Sequence, residues 1–479
     1  MFSPAPLRFC GKGVLLLENE VLLSILLKML SENKFSTIKD ILREMNTVDI
    51  AQTISEADPE NQVKIFRLLP KDSSAEVFSY LDSDTQETVI NSITNVEVHN
   101  LVEDMFIDDA VDFLEEVPAN VVTRVLAQTS KETRDTINKF LRYPEDSAGS
   151  IMTVEMAAFQ ETSTVDEAID ELRRTAQDKE SIETCYCLDK SRKLVGSLPL
   201  RKLIVARPDK VLSEIMFDDD QLISVNTLDD QETVADIVRK YDLLSVPVVD
   251  NEHRLVGIIT IDDIVDVIQE ENTEDFEKMA LLLPSEDDYL KTGVFKLTKN
   301  RIVWLLILMV SATFTGRIIT SFEDKLAIYT ALTACIPMLM DTGGNAGNQV
   351  STLVIRGLAL GSIKPKDYFK ILWKEIRVAV MCGLILAAAN FLRMFALSKI
   401  PFFQTETNIS VFLVVCLAMV GAVIVAKTIG CSLPILAKLL HLDPALMAGP
   451  MITTIVDALT LLIYFGIATV FITKGILVP

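Results

Sequence analysis

The chain has 479 residues and a formal net charge of −22. Residues 301–479 carry fourteen basic and eight acidic side chains, so the whole negative excess lies in residues 1–300. An acidic region of this kind excludes a nucleic-acid partner, because a phosphate backbone attracts Lys and Arg; it leaves open a merely solvated surface and a surface that binds cations.

Residues 1–34 form an N-terminal extension to which no role is assigned. Met1–Gly13 has little pattern, and Val14–Leu30 is apolar but interrupted by Glu18, Glu20 and Lys28. With no small-residue cleavage site, it does not read as a signal peptide; it reads either as an amphipathic helix or as the product of an upstream start codon, with initiation near Met29. Residues 35–148 read as an all-α domain of short amphipathic helices in a loosely repeating superhelix. Phe66, Leu68, Leu69, Val77, Phe78 and Leu81 supply its apolar face, Asp82-Ser83-Asp84 is a helix cap, and Val117-Pro118-Ala119-Asn120 is a break.

The pattern changes in residues 149–272. A strand near Ile151-Met152-Thr153, a helix over Val165–Ala176, strands at Thr184–Leu188 and Leu194–Pro199 and a helix from Leu200 occur in that order. The order recurs at Glu214-Ile215-Met216, Val234–Tyr241, Ser245–Val249 and Leu255–Ile259. Such an internal β-α-β-β-α duplication resembles a tandem pair of α/β CBS domains. That resemblance implies adenine nucleotide, ATP included, as a candidate ligand at a Ser/Thr-x-x-Asp element. The second copy has this element as Thr260-Ile261-Asp262-Asp263, whereas the first has Pro199 and Lys202 at the matching places.

Residues 273–300 read as a connecting helix, acidic first and then basic at Lys296 and Lys299. Five apolar stretches follow, at roughly 302–321, 326–355, 374–397, 409–434 and 446–473, each long enough to cross a hydrocarbon core of about 30 Å. They make residues 301–479 an all-α domain of five transmembrane helices. Lys296, Lys299 and Arg301, then Arg356, Lys364, Lys366, Lys370, Lys374 and Arg377, put the N-terminal region and the 356–377 loop on the cytoplasmic side.

Two stretches are too polar to face lipid. Asp341-Thr342-Gly343-Gly344-Asn345-Ala346-Gly347-Asn348-Gln349 in the second span is rich in glycine and amide, with Asn345, Asn348 and Thr352 on one helical face. In the fifth span Thr453, Asp457, Thr460 and Tyr464 share a face, and Asp457 is flanked by Ile455, Val456, Ala458 and Leu459. An ionisable group at mid-membrane costs at least ~2.5–3.5 kcal/mol unless water, a partner or an ion meets it. Either Asp457 pairs with a basic residue such as Lys427, or it borders an ion path. The seven cysteines are scattered and the three histidines isolated; with no nucleophile–base pair, Walker loop or zinc spacing, the sequence does not read as an enzyme.

The segments Met338–Gln349, Thr352-Leu353-Val354-Ile355-Arg356-Gly357 and Gly449–Asp457, together with the order helical domain, CBS pair, connecting helix and five spans, resemble the MgtE magnesium transporter family over about residues 35–475. The resemblance implies a homodimer in the lipid bilayer of the plasma (inner) membrane, with cytoplasmic N-terminal domains. It implies a magnesium channel with Asp457 as the pore carboxylate and Asn345, Asn348, Thr453 and the backbone at Gly449 along the path. It further implies regulatory Mg²⁺ at Asp108, Asp112, Asp230, Glu232, Asp242, Asp263, Asp266, Glu271, Glu274, Asp275 and Asp443. A membrane-anchored nucleotide sensor without ion conduction is the alternative.

Overall fold

Turn chemistry sets the soluble region. Asp82 accepts from the Thr85 amide at 2.9 Å, and Thr94 and Glu97 form a reciprocal capping box, so each short helix stops and restarts at a satisfied end. A computed structural model describes residues 19–217, 222–285, 289–290, 292–322, 330–398 and 409–476. It divides into two units, Met1–Ile268 and Gln269–Pro479.

In the first unit the described residues give helices α1 (Asn19–Ser31) to α10 (Lys131–Phe140). Leu22, Leu26 and Leu30 of α1 are buried in the same core as Phe66, Val77, Phe78 and Leu81, so part of the extension left without a role is the first helix of this domain. Phe78 meets Phe66 and Phe113 edge-on at centroid distances of 5.9 and 5.0 Å.

The duplication appears as two three-stranded sheets, β1 (Met156–Gln160), β2 (Ser181–Leu188), β3 (Leu194–Pro199), and β4 (Val225–Asn226), β5 (Ser245–Val249), β6 (Leu255–Thr260). In each, the first strand is parallel and the third antiparallel to the second. Helices α11 (Val165–Thr175), α12 (Leu200–Val205) and α13 (Gln231–Tyr241) complete the repeat. The register is the same in both copies: Cys187 opposes Gly196, and Val248 opposes Gly257.

The opening segments, expected as each copy's own first strand, are exchanged. Thr153 bridges Ile258 of the second copy, and Phe217 bridges Ser197 of the first. Gly196 and Gly257 make the exchange feasible, because a Cβ on either would lie 2.5 Å from Met216 Sδ or from the Thr153 carbonyl oxygen respectively.

Helix α14 (Ile261–Met279) follows. The connecting segment expected as one helix over 273–300 is instead helical to Met279 and again from Val294. Leu281 at φ 56° and Pro284 stop the first helix, and Leu283 N–H donates to the Asn300 carbonyl at 3.1 Å. In the second unit the long helices are α15 (Val294–Ser321), α16 (Ile336–Ala359), α17 (Tyr368–Leu397), α18 (Ile409–Leu439) and α19 (Gly449–Thr473). Among the described residues, α15, α17, α18 and α19 are long and apolar enough to cross a membrane. Helix α16, at the second expected span, has the length but not the hydropathy, because Asp341, Asn345, Asn348 and Gln349 interrupt it. It packs on α18 and α19.

Candidate ion path and acidic sites

The polar helix α16 touches α19 through its glycines. A Cβ on Gly344 would lie 2.9 Å from Thr453 Cγ2, and one on Gly347 would lie 2.9 Å from Ile452 Cγ2. Close approach brings side chains from both expected stripes together. Asn348 Nδ2 donates to Thr453 Oγ1 at 3.3 Å, and the Thr453 hydroxyl donates to the Gly449 carbonyl at 3.1 Å. Asp457 lies one turn beyond Thr453 on the same face. Asp457 Oδ1 and Asn348 Oδ1 are both buried without a hydrogen-bond partner, the state of oxygens aimed at something other than protein.

The rest of the fifth-span stripe packs. Thr460 is buried against Gly343, and the Tyr464 hydroxyl donates to the Leu332 carbonyl at 2.8 Å. Asn345 donates to Asp341 Oδ1 at 3.1 Å, and this pair, with Gln349 and Thr352, forms a polar face of α16 that one chain leaves exposed. Lys427 of α18 is buried but makes no ion pair with Asp457.

Gly449 opens α19 with φ 49°, in the left-handed region that favours glycine. A Cβ there would lie 2.7 Å from the Met279 carbonyl oxygen, at the end of α14. One residue earlier, Lys278 Nζ reaches Asp443 Oδ2 at 2.9 Å and Glu274 Oε1 at 2.7 Å. Burial pulls the Lys278 ammonium down, but hydrogen bonds to Glu274 and Asp443 outweigh it and hold its pKa above the ordinary value. Asp275 is raised by burial and by the field of Asp443. Glu274, Asp275 and Asp443 are thereby brought to one place, with Glu271 close enough to act on Asp275.

A second acidic group lies in the first unit, where α8 (Ile107–Glu116) meets the start of α14. Burial, then mutual repulsion, raises Asp108 well above the usual carboxylate range and Asp112 to about 7. Burial raises Asp263 to about 6, against a lowering hydrogen bond from Thr260 Oγ1 at 2.6 Å. Asp266 adds to the field on Asp263. The sequence reading missed Asp109, raised to about 6, and Glu180, raised to about 7, each by burial first and the Asp263 charge second. Their neighbourhood in space leaves no trace in spacing.

The remaining expected positions lie elsewhere. Asp230 caps α13, accepting from the Glu232 amide at 3.0 Å. Asp242 ends α13 in the left-handed region and lines a cleft of about 920 Å³ with Tyr186, Arg201, Phe217 and Tyr241. Thr260 and Asp263 bind each other and do not line that cleft. Among the described residues, no three His, Cys, Asp or Glu side chains are arranged to hold one metal ion.

Residues 336–467 match the sequence model of the MgtE divalent cation transporter domain, 45–146 that of the MgtE intracellular N domain, and 212–270 that of the CBS domain. The magnesium transporter MgtE of Thermus thermophilus is 35% identical over 443 residues, spanning 92% of this chain and 96% of the relative. The chain belongs to the MgtE family. The Bacillus subtilis MgtE magnesium transporter is 31% identical over 454 residues, 95% of this chain and 98% of the relative. A crystal structure of the soluble part of a magnesium transporter matches at 30% identity and a TM-score of 0.50, over 53% of this chain and 99% of that one. Both MgtE relatives bear the name of transporters, which are not enzymes, and the chain is a membrane protein with a soluble N-terminal part.

Proposed function

We propose that this chain conducts Mg²⁺ across the plasma (inner) membrane and that cytosolic Mg²⁺ closes it. The observation that carries the reading is the buried, unpartnered carboxylate oxygen of Asp457, beside the Asn348–Thr453 pair. Mg²⁺ gives up its water reluctantly and prefers oxygen ligands. A hydrated ion is attracted by a carboxylate and held through its waters by amide, hydroxyl and carbonyl oxygens. The membrane potential drives it inward with about 2.3 kcal/mol per charge per 100 mV.

Two copies complete the path. The exposed polar face of α16 and the nearly uncovered α15, with 6% of its apolar stretch buried, support a homodimer in the bilayer. Gly449 acts there through its backbone, and Asn345 from the uncovered face.

Closure draws on the two acidic groups. Mg²⁺ bridging α8 to the start of α14 at Asp108, Asp112 and Asp263 replaces repulsion by attraction. A ligand shifts such an equilibrium only through differential affinity, which several ions on the compact form supply. Helix α14 then carries the change to Lys278, Met279 and Gly449. Glu271, Glu274, Asp275 and Asp443 surround that junction; Asp230, Glu232, Asp242 and Asp266 serve as further regulatory carboxylates.

The cleft beside Asp242 supports a second, compatible role: it combines aromatic rings for a base with Arg201 for a phosphate, as an adenine nucleotide such as ATP requires. Thr260 and Asp263 are better suited to the acidic group than to that ligand.

The test is Mg²⁺ flux into liposomes holding the full chain. Asp457→Asn should abolish flux while leaving the protein folded; flux equal to the parent's would overturn the proposed path.

A further inference from the structure

Asp341 stands one turn before Asn345 on the polar face of α16, where Asn345 Nδ2 donates to its Oδ1 at 3.1 Å. Both side chains are exposed in the single chain. Asp341, Asn345 and Asn348 recur at intervals of four and three, so they form one stripe along the helix. Among the described residues no basic side chain forms an ion pair with Asp341. A carboxylate within a membrane bundle is costly unless water, a partner or an ion meets it.

The packing sets the level of this charge. Helices α16 and α19 run antiparallel: Gly347 meets Ile452, Gly344 meets Thr453, and a Cβ on Gly343 would lie 3.1 Å from Val456 Cγ1 and 2.7 Å from Thr460 Oγ1. Going back along α16 from Gly344 by one turn therefore climbs α19 by one turn from Thr453, which brings Asp341 to the level of Asp457. The Asp341 charge does act on Asp457. The two helices thus carry two rungs, Asn348 with Thr453, joined at 3.3 Å, and Asp341 with Asp457. Each rung holds one buried oxygen without a partner, Asn348 Oδ1 on the first and Asp457 Oδ1 on the second. With the 356–377 loop on the cytoplasmic side, the carboxylate rung is the outer of the two. Like charges set level with each other are unfavourable, and a divalent cation beside them relieves the cost.

We infer that Asp341 is a second ion-attracting carboxylate of the path: with Asp457 it makes an outer rung that captures hydrated Mg²⁺, which then passes to the Asn348–Thr453 rung. Asn345 is a positioning residue, holding one oxygen of Asp341 and leaving the other to the waters of the ion. In a homodimer each copy supplies two carboxylates instead of one. Attraction scales with the charge of the ion, so the second carboxylate favours a divalent over a monovalent cation. Carboxylate rings are a general means of selecting cations in pores. This inference rests on the proposed path through Asp457.

The experiment is concentration-dependent Mg²⁺ flux into liposomes holding the full chain, with no Mg²⁺ on the sensor side, for the parent, Asp341→Asn, Asp341→Glu and Asp457→Asn. Asp341→Asn keeps the size of the side chain and an acceptor for Asn345, and removes only the charge. It should raise the half-saturating Mg²⁺ by roughly threefold to tenfold, while Asp341→Glu stays within about twofold of the parent. The gap between Asp341→Asn and the parent should narrow as ionic strength rises to about 1 M, where the screening length is about 3 Å. Parental half-saturation in Asp341→Asn, a gap indifferent to salt, or a glutamate variant shifted as far as the asparagine one overturns the inference. Flux lost in Asp457→Asn but parental in Asp341→Asn leaves the path standing and overturns the role of Asp341. Parental flux in Asp457→Asn overturns the path itself, and this inference with it.

Discussion

In the soluble unit, Asp108, Asp109, Asp112, Asp263 and Glu180 crowd one another, and burial with like charge raises all five. In the membrane unit, Asp457 is flanked along α19 by Ile455, Val456, Ala458 and Leu459, and Asp341 of α16 is near enough for its charge to act on it. The first arrangement is costly until a cation or proton arrives, which suits a sensor that changes shape on binding. The second has only Asp457 and Asp341 acting on each other, a sparser negative field, which suits an ion that must pass rather than stay. The same residue type thus does two jobs, according to whether it stands in a crowd of like charges or in a sparse pair along an otherwise apolar helix.

The comparison can be broken by disturbing packing in one region and watching the other. Largest should be Gly430→Ala: its Cβ would overlap the Gly347 carbonyl where α18 crosses α16. Backbone cannot yield as a side chain does, so a cost of about 1–3 kcal/mol is expected. Melting of the detergent-solubilised protein should move several degrees lower and flux should be lost, with the acidic soluble unit intact by limited proteolysis.

Gly449→Ala comes next. Side-chain strain in the left-handed region costs roughly 1–2 kcal/mol, and the Met279 carbonyl stands in the way. The junction with α14 should loosen, so that half-block of flux requires about tenfold more Mg²⁺ on the sensor side. An unchanged block would mean that the α14 terminus plays no part in closure.

The smallest effect is on pH. Asp109, Asp112, Asp263 and Glu180 have folded-state pKa values of about 6 to 7, above the roughly 4 of unfolded carboxylates. The folded unit therefore binds more protons between about pH 4 and pH 7, and its stability falls as pH rises through that window. Without Mg²⁺, proteolysis of the soluble region should be slower at pH 5.5 than at pH 7.5. Millimolar Mg²⁺ should remove the difference by standing in for the protons.

Much of this was legible in the sequence because local pattern carries it. The CBS duplication showed in strand spacing, and the structure reproduces its register at Gly196 and Gly257. Thr453 and Asn348 were placed on polar faces by helical period, and they do meet. What stayed hidden depends on contacts between distant segments. Glu180 joins Asp263 only through the fold, and an excess of acidic residues throughout residues 1–300 singles out none of them. The exchange of Met152 and Met216 between the CBS copies is likewise tertiary. Gly449 could be seen to lack a side-chain ligand, but the carbonyl that forbids a Cβ there belongs to Met279, far away in sequence. The end of α14 at Met279 was missed because hydropathy alone does not weigh Pro284 and the left-handed Leu281.

The most direct measurement of the link between the two regions is Mg²⁺ flux in liposomes with Mg²⁺ varied on the sensor side. The parent chain should be blocked as sensor-side Mg²⁺ rises through the millimolar range, and a variant with Asp109→Asn, Asp112→Asn, Glu180→Gln and Asp263→Asn should keep conducting. Parental flux indifferent to sensor-side Mg²⁺, or a variant blocked at the same concentration as the parent, would contradict the account.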